Sequence, residues 1–240
     1  MTDVVMLTYD FNEQLADLSQ QTIFAVKQAP IDKLIVVDNG SEFGAGRVRE
    51  HTDIYIRNKF NLGYPEAVNQ GFALSTAPYV AISNNDIRVP ANWMTVAEEI
   101  FAQDPKVGTV HFRMIPYDQP FNPGDNVWIT GKERWCHCSF FVIRREAFQV
   151  YDLNYDKGGF DDYDHNYRMR EKGWKQAYTN RVEFQHMDSI TYRTMESGED
   201  RAKRDAKNKE YYKEKFGMYP DDQFNKEFSE QITLPYLPFP

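Results

Sequence analysis

The sequence predicts an α/β fold in which a doubly wound, mostly parallel sheet carries helices on both faces. Over the first hundred residues, apolar runs suited to buried strands alternate with segments of helical period. This order is typical of parallel strands joined by right-handed crossovers. With 240 residues the chain can form one large domain or two small ones. We expect a single domain over 1–240, with halves at 1–105 and 106–217 and a tail at 218–240.

Each element of the first half has its own signal. Residues 4–9, 33–40 and 79–83 are apolar runs of the kind that fill buried parallel strands, and 54–58 is a shorter one. Residues 13–29 repeat apolar side chains at helical spacing. Further helices are predicted over 65–75 and 91–104, and Pro90 suits the first turn of the latter.

The second half is less regular. Strands are predicted at 107–117 and 139–144, separated by a Pro/Gly-rich connection too long for a hairpin. Loops of this length are usually functional or mobile. After it we expect a helix from near Asp161 to before Gly173, a short strand ending at His186, and a charged helix at 199–217. The apolar seam of that last helix consists of Tyr211, Tyr212 and Phe216, and the tail 232–240 packs on the surface or meets a partner.

Charge and cysteine content limit the classes of protein. The net charge of −8 disfavours non-specific nucleic-acid binding, which depends on neutralising phosphates. No signal peptide is expected, and no run reaches the ~18 apolar residues of a membrane span. Cys136 and Cys138 flank His137 but lack a second pair of zinc ligands, so we expect reduced thiols and a cytoplasmic protein, with peripheral membrane association left open.

Several enzyme classes fail on their own sequence requirements. The first strand is followed by "TYDFNE", which has no glycine for a dinucleotide fingerprint, and "GAG" at 44–46 is a weak match. No P-loop and no G-x-S-x-G elbow occurs. A cysteine beside a histidine in sequence does not form a nucleophile–base pair. These absences exclude oxidoreductase, kinase and hydrolase interpretations.

Polar residues close the predicted parallel strands, where ligands of open α/β sheets bind. These strand ends are Thr8-Tyr9-Asp10, Asp38-Asn39-Gly40, Asn58 and Asn84-Asn85-Asp86. Each is also an ordinary turn sequence. Together they favour a site at one edge of the sheet, with Asp86 holding a metal ion.

Two further clusters lie at predicted helix starts. Asn61, Gly63 and Asn69 surround the start of the helix at 65–75, where Gly63 permits close approach of the backbone. Asp161 and Asp162 lie at the start of a later helix, where capping alone would also explain carboxylates.

These motifs in this order resemble a family 2 glycosyltransferase of the GT-A fold, in its rhamnosyltransferase-like branch. The segments that carry the resemblance are "TYDFNEQLADLSQQTIFAV", "IDKLIVVDNGS", "NLGYPEAVNQG", "YVAISNNDI", "SFFVIRREAF" and "FDDYDHNYRMREKGW" with a later histidine. They span residues 3 to about 217. The resemblance implies a nucleotide-sugar-binding half, 1–105, and an acceptor and catalytic half, 106–217.

The resemblance also implies roles for single residues. Thr8, Tyr9 and Asp38 would contact the nucleoside, with Asn61, Gly63 and Asn69 also on the donor side. Asn84-Asn85-Asp86 occupies the place of the D-x-D motif, with Asn84 in place of the first aspartate. Asp161-Asp162 matches the E-D motif, in which the second residue resembles the catalytic base. His186 falls at the position of a last metal ligand. The acceptor side would include Trp128, Trp135 and Ser139, although both tryptophans could equally be packing aromatics.

The charges of such a donor require a cation. Two like charges 4 Å apart repel by about 4 kcal/mol at an effective dielectric of 20, so a diphosphate beside Asp86 needs a divalent ion between them. A carboxylate and an imidazole suit Mn²⁺ at least as well as Mg²⁺. With Asp162 taking the proton of an acceptor hydroxyl, the direct displacement would invert the anomeric carbon.

The predicted function is therefore hexosyl or pentosyl transfer from a UDP-, dTDP- or GDP-linked sugar to a glycan or lipid-linked acceptor. A modified nucleic-acid base is a less favoured acceptor, because the chain is acidic. Two alternatives stay open at this point. One is a metal-dependent nuclease or nucleotidyltransferase built on Asp38, Asp86 and Asp161-Asp162, and the other is a binding domain with little catalysis, suggested by Asn84.

Overall fold

The amino-terminal half alternates strands and helices as the sequence predicts. A computed structural model of the chain describes residues 1–130, 138–187 and 197–219. The elements of the first half are β1 (Thr2–Thr8), α1 (Glu13–Val26), β2 (Lys33–Asp38), α2 (Ala45–Arg49), β3 (Ile54–Arg57), α3 (Tyr64–Leu74) and β4 (Tyr79–Ser83). Helix α1 begins where the Asn12 side chain accepts a hydrogen bond from the Leu15 amide at 2.9 Å, which satisfies a free N–H of the first turn.

Strands β1 to β4 form a parallel block in the order β3-β2-β1-β4. The register places Thr8 of β1 beside Asp38 of β2, and Asp38 beside Arg57 of β3. The carboxyl ends of these strands therefore lie along one edge of the sheet, as expected from the sequence.

The second half adds antiparallel strands to this block. Its elements are β5 (Ile87–Arg88), α4 (Trp93–Gln103), β6 (Val107–Pro116), β7 (Val127–Thr130), β8 (Phe140–Arg144), a 3-10 turn (Arg145–Ala147), α5 (Asp161–Glu171), β9 (Lys175–His186) and α6 (Gly198–Phe216). The sheet continues from β4 through β8, β6 and β9 to β5, and β7 also pairs with β9. Strands β6 and β9 are parallel, whereas β8, β7 and β5 run antiparallel to their neighbours.

Two hydrophobic cores lie on opposite faces of this sheet, which makes it doubly wound. Alternate residues of β1 divide between them: Val4 and Met6 join the core under α1 and α4, and Val5 and Leu7 join the core under α3 and α5. This division follows from the two-residue period of a strand. Trp93 is fully buried in the first core.

Five details differ from the sequence prediction. Helix α4 begins at Trp93, so Pro90 lies before its first turn, and the two-residue strand β5 comes between β4 and α4. The long connection after β6 contains β7. Strand β9 has 12 residues and is not short. Helix α2 was not predicted, because five residues with one buried side chain carry no detectable period.

Helix α6 packs through a partly polar face. Tyr212 of the predicted seam is fully buried, and Tyr211 and Phe216 are partly buried, with Phe216 against the Tyr167 ring. Asn208 and Arg204 are also buried on this helix, which the charged sequence did not indicate. None of the helices in the described ranges has the length and apolar character needed to cross a membrane.

A partly buried ion-pair network holds the end of α6. The Lys215 ammonium contacts the carboxylates of Asp152 and Asp164, and Asp164 also pairs with Arg168. The Asp164 side chain is fully buried. Burial raises the pKa of the Asp152 carboxyl, but hydrogen bonds from Lys215 and its other neighbours outweigh this and lower it to about 2.

We predict that Lys215→Ala lowers the free energy of unfolding by about 1 to 3 kcal/mol, because the fully buried Asp164 then keeps only Arg168 as a cationic partner and the partly buried Asp152 loses its ammonium. The measurement is urea denaturation at pH 7. The matched control is Lys203→Ala on the same helix, whose ion pair with Glu199 is exposed and should change stability by less than about 0.5 kcal/mol. Equal shifts of the two denaturation midpoints would contradict the role of the network.

Candidate functional site

The carboxyl edge of the parallel block is bound together by backbone and side-chain hydrogen bonds. The Thr8 carbonyl accepts from the Asn39 amide at 2.8 Å, and the Asp38 carbonyl accepts from the Asn58 amide at 2.8 Å. Thr8 is buried, and Tyr9 is partly buried with its ring near that of Phe11. The edge is thus a fixed surface before any ligand arrives.

Asp38 organises the turn that follows β2. Its Oδ1 accepts from the backbone amides of Gly40 at 3.1 Å and Ser41 at 2.7 Å. Its Oδ2 accepts from the Tyr55 hydroxyl and lies 3.8 Å from Arg57 Nε. The carboxylate is held in one orientation by these partners, which leaves few free lone pairs for a nucleotide.

Amide side chains tie the end of β2 to the start of α3. Asn39 Nδ2 donates to the Gly63 carbonyl at 3.1 Å and to Asn61 Oδ1 at 3.3 Å. Asn61 Oδ1 also accepts from the Gly63 amide at 2.8 Å. Asn69 is used elsewhere, since both ends of its amide bond to the backbone of Tyr151, at 2.8 and 2.9 Å. Asn61 and Gly63 therefore lie with the strand ends, whereas the Asn69 amide joins α3 to the segment before α5.

In the Asn84-Asn85-Asp86 turn, the first and third side chains meet His186 and the second turns the other way. The backbone N–H of Asn84 donates to the Ser139 carbonyl at 2.8 Å. The side-chain nitrogen of Asn84 lies 3.4 Å from His186 Nε2. The Asn85 side chain turns inward and donates to Asp10 Oδ1 at 2.8 Å. Asp86 Oδ1 lies 3.1 Å from His186 Nε2. Asn84 and Asp86 thus face one point, and Asn85 supports them from behind.

Strand pairing explains why Asp86 meets a histidine one hundred residues away. Strand β5 runs antiparallel to the end of β9, with Ile87 opposite His186. The Met187 amide donates to the Asp86 carbonyl at 3.2 Å, which extends the ladder by one residue. The Asp86 and His186 side chains are each 7% exposed.

The Asp86–His186 pair fits a divalent cation as a partial ligand set. Their separation of 3.1 Å is close to the roughly 3 Å expected between neighbouring ligands that each lie about 2.1 Å from an octahedral ion. A carboxylate oxygen and an imidazole nitrogen suit Mn²⁺ or Mg²⁺. Within the described ranges, no group of three or more His, Cys, Asp or Glu side chains is placed to hold a metal.

Asp10 is a buried carboxylate behind this turn to which the sequence analysis gave no role. Its Oδ1 accepts from Ser19 Oγ and Asn85 Nδ2, both at 2.8 Å, and its Oδ2 has no hydrogen-bond partner among the described residues. Burial raises the pKa of the Asp10 carboxyl to about 6, although the bonds from Ser19 and Asn85 oppose the shift. The acidic end of β1 was visible in the sequence, but the contact with Asn85 was not.

The Asp161-Asp162 pair follows a strained loop. Four consecutive residues have positive φ: Lys157 at 53°, Gly158 at 111°, Gly159 at 98° and Phe160 at 68°. Lys157 and Phe160 are the only non-glycine residues with this backbone among those described. Each costs roughly 1 to 2 kcal/mol, so the loop keeps this shape only where its surroundings impose it.

The environment of the pair raises the pKa of both carboxyls. Burial is the main cause for Asp161, followed by the charge of Asp162 beside it, and burial is also the main cause for Asp162. Asp161 is buried and Asp162 only partly so. Asp162 is therefore the better placed of the two to meet a substrate hydroxyl, and its raised pKa suits a general base.

Tyr64 joins the two groups of carboxylates. Its hydroxyl donates to the Cys138 carbonyl at 2.9 Å, next to the Ser139 carbonyl that anchors Asn84. Its amide donates to the Lys157 carbonyl at 3.2 Å, at the start of the strained loop. One tyrosine at the start of α3 thus connects the Asn84–Asp86 turn with the loop before Asp161.

The proposed acceptor side is described only in part. Trp128 lies on β7 with its ring 5.5 Å from that of Tyr178, and Ser139 precedes β8. Trp135, with Cys136 and His137, lies outside the described residues. The loop before β7 is docked on β9, because the Asn126 amide donates to Asn180 Oδ1 at 2.8 Å and the Gly124 amide donates to the Asn180 carbonyl at 2.9 Å.

Comparisons with known proteins identify the fold. The family model "Glycosyl transferase family 2" matches residues 3–152. The mannosyltransferase PcManGT from Pyrobaculum calidifontis, solved with GDP-Man and Mn²⁺, matches 98% of this chain and 66% of its own, with 17% identity and a TM-score of 0.62. GalNAc-T7, solved with UDP, GalNAc and Mn²⁺, matches 78% of this chain with 12% identity and a TM-score of 0.61.

TarS 1-349 of S. aureus matches 94% of this chain and 74% of its own, with 11% identity and a TM-score of 0.56. The chain spans 43% of the length of GalNAc-T7. No curated protein sequence matches the chain. At these identities the structural likeness establishes the GT-A fold and leaves substrates open.

The raised pKa of Asp10 predicts a pH-dependent stability difference. A carboxyl with a folded pKa of about 6 and an unfolded pKa near 3.9 stabilises the fold below about pH 4, and this contribution is lost as the pH rises through 6. Asp10→Asn does not titrate and keeps an oxygen for Ser19 and Asn85. Relative to the unaltered protein, its unfolding free energy should therefore rise by about 2 to 3 kcal/mol between pH 4 and pH 7. Denaturation without divalent metal at both pH values tests this, and a pH-independent difference would contradict it.

Proposed function

The chain belongs to glycosyl transferase family 2, and on that premise we propose that it transfers a sugar from a nucleoside-diphosphate donor to an acceptor hydroxyl with inversion at the anomeric carbon. The observation that carries the proposal is the Asp86–His186 contact of 3.1 Å at the carboxyl edge of the sheet. The solved relatives PcManGT and GalNAc-T7 contain GDP-Man or UDP together with Mn²⁺, which supports a donor of this class.

Asp86 and His186 would hold the divalent cation, Mn²⁺ or Mg²⁺, with the side-chain amide of Asn84 beside them. Such a cation neutralises the diphosphate and stabilises it as a leaving group. Asn85 keeps the turn in place through Asp10, and the rigid turn after Asp38 borders the nucleoside site. Thr8, Tyr9, Asn61 and Gly63 complete the donor side in this proposal.

Asp162 takes the proton of the acceptor hydroxyl as that oxygen attacks the anomeric carbon. The bond from the acceptor oxygen to carbon forms while the bond from carbon to the diphosphate oxygen breaks, and the electron pair leaves with the diphosphate. Burial raises the pKa of Asp162 and so makes it a stronger base than an exposed carboxylate. The acceptor is a glycan or lipid-linked glycan that approaches from the side of Trp128 and Ser139.

The direct test is incubation of the purified protein with UDP-, dTDP- and GDP-sugars and Mn²⁺, measuring release of the nucleoside diphosphate. We expect release from one nucleotide class, with transfer to water where no acceptor is supplied. A panel of phosphodiester substrates run in parallel separates the nuclease alternative. Phosphodiester cleavage without diphosphate release would overturn the proposal.

Replacing the base should slow turnover without loss of the donor. We predict that Asp162→Asn lowers kcat by about 10² to 10⁴, the usual contribution of general-base assistance, while nucleotide affinity with Mn²⁺ changes little. The control is Asp32→Asn, an exposed aspartate just before the amino end of β2. Normal turnover in Asp162→Asn would reject the base assignment.

Removing a metal ligand should weaken nucleotide binding, in contrast to the effect on turnover expected for the base. Asp86→Ala and His186→Ala are each expected to weaken Mn²⁺-dependent binding of UDP or GDP by at least about tenfold, because each removes a ligand and leaves its partner unpaired. Calorimetric titration with and without Mn²⁺ measures this, with Asp32→Ala as the control. If affinity in both variants stays at the level of the control, the cation lies elsewhere.

A further inference from the structure

The loop before Asp161 is confined on the side of α3. A Cβ atom added to Gly63 would lie 2.6 Å from the Cα atom of Lys157, closer than real contacts allow. Gly63 also has a φ of +90°, a conformation that favours glycine. Gly63, on the donor side of the site, therefore packs directly against Lys157, the first residue of the strained loop.

On its other side the loop meets Asn208 of α6. Asn208 Oδ1 accepts from the Asp156 amide at 3.2 Å. Its Nδ2 lies 3.3 Å from the Asp156 carbonyl, 3.0 Å from the Gly158 carbonyl and 3.1 Å from the Gly159 carbonyl. One side-chain amide thus supplies both an acceptor and donors to the backbone immediately before Asp161.

These contacts explain why an asparagine is buried at position 208 of α6. Asn208 is fully buried in a helix whose exposed faces are highly charged. A buried amide destabilises a protein unless its donors and acceptor are paired. Among the described residues, the Asn208 side chain finds its hydrogen-bond partners in the backbone of residues 156–159. Helix α6 itself is held elsewhere, by Tyr212 and by the Lys215 ion pairs.

The contact reaches close to the carboxylates. The Gly159 amide donates to Asp161 Oδ1, so the residue whose carbonyl faces Asn208 also contacts the carboxylate pair through its amide. A Cβ atom on Gly159 would lie 3.2 Å from Asp205 Oδ1, so α6 supports the loop directly behind this residue. A shift of Asn208 would therefore be passed to Asp161 and Asp162 through one residue.

We propose that Asn208 is a positioning residue for the sugar-transfer reaction, which clamps the loop 156–160 in its strained shape and so fixes Asp162 against the acceptor hydroxyl. The proposal rests on the proposed function, in which Asp162 is the base. It assigns a role to α6, which lies beyond the residues that the family model matches.

The experiment compares Asn208→Ala and the isosteric Asn208→Asp with Phe216→Leu. Asn208→Asp keeps the side-chain volume and an acceptor for the Asp156 amide, but its carboxylate cannot donate to the three carbonyls. Phe216→Leu weakens the ring contact of α6 with Tyr167 of α5 and the contact with Tyr212 within α6, away from the loop. Thermal unfolding checks that all three variants fold.

Two readouts distinguish positioning from general destabilisation. Release of UDP or GDP from the nucleotide sugar that the unaltered protein uses gives kcat, and titration with UDP or GDP and Mn²⁺ gives donor affinity. We expect kcat to fall roughly 10- to 100-fold in both Asn208 variants, as for a misplaced catalytic group, with donor affinity within about twofold. Phe216→Leu should keep kcat within about threefold. Equal kcat values for the Asn208 variants and Phe216→Leu would overturn the proposal.

Amide hydrogen exchange supplies a readout that needs no turnover. Backbone amides of residues 156–161 should exchange at least about tenfold faster in Asn208→Ala than in Phe216→Leu, and unchanged exchange overturns the clamp. If the unaltered protein releases no diphosphate, the proposed function fails and exchange alone decides the clamp. If Asp162→Asn abolishes turnover while both Asn208 variants keep it, the positioning role fails and the proposed function stands.

Discussion

The site depends on one short antiparallel ladder at the end of the sheet. Two residues of β5 pair with the end of β9, and this pairing places Asp86 3.1 Å from His186. Thr22 of α1 secures the ladder, since its hydroxyl donates to the Ile87 carbonyl at 2.9 Å and lies 3.1 Å from the Ile87 amide. A buried carboxylate and imidazole each need a partner, so the ladder and the pair stabilise one another.

A second constraint acts on the other side of Tyr64. The loop 157–160 carries backbone strain in front of a carboxylate pair that burial has already made harder to ionise. The backbone strain and the burial of the two carboxylates both oppose folding. Together they hold the carboxylates in positions that a relaxed loop with hydrated side chains would not adopt. Strain of this kind persists only where tight contacts on several sides hold it, and here Gly63 and Asn208 supply them.

Much of this arrangement follows from local sequence signals. The parallel block, the shared strand edge and the carboxylates at the start of α5 can be predicted from apolar runs and the residues that end them. Other features depend on contacts between residues far apart in the sequence, which the spacing of apolar residues cannot reveal. Strand β5 has only two residues, which is too short for a recognisable pattern. Asn85 contacts Asp10 because β1 and β4 are neighbours in the sheet. In the sequence, Asn208 cannot be told apart from the other polar residues of a charged helix.

The acidic residues of the site lie in two different environments. Asp38 is ordered by hydrogen bonds from backbone amides and a tyrosine and by a nearby arginine, and Asp86 lies against an imidazole. Asp161 and Asp162 lie beside one another in a buried setting that favours the proton. An anionic donor can dock only where carboxylate charge is compensated, whereas a base must gain its proton during the reaction. In the proposed reaction the first group would meet the donor and the second would accept the proton, and Tyr64 contacts the segments next to both.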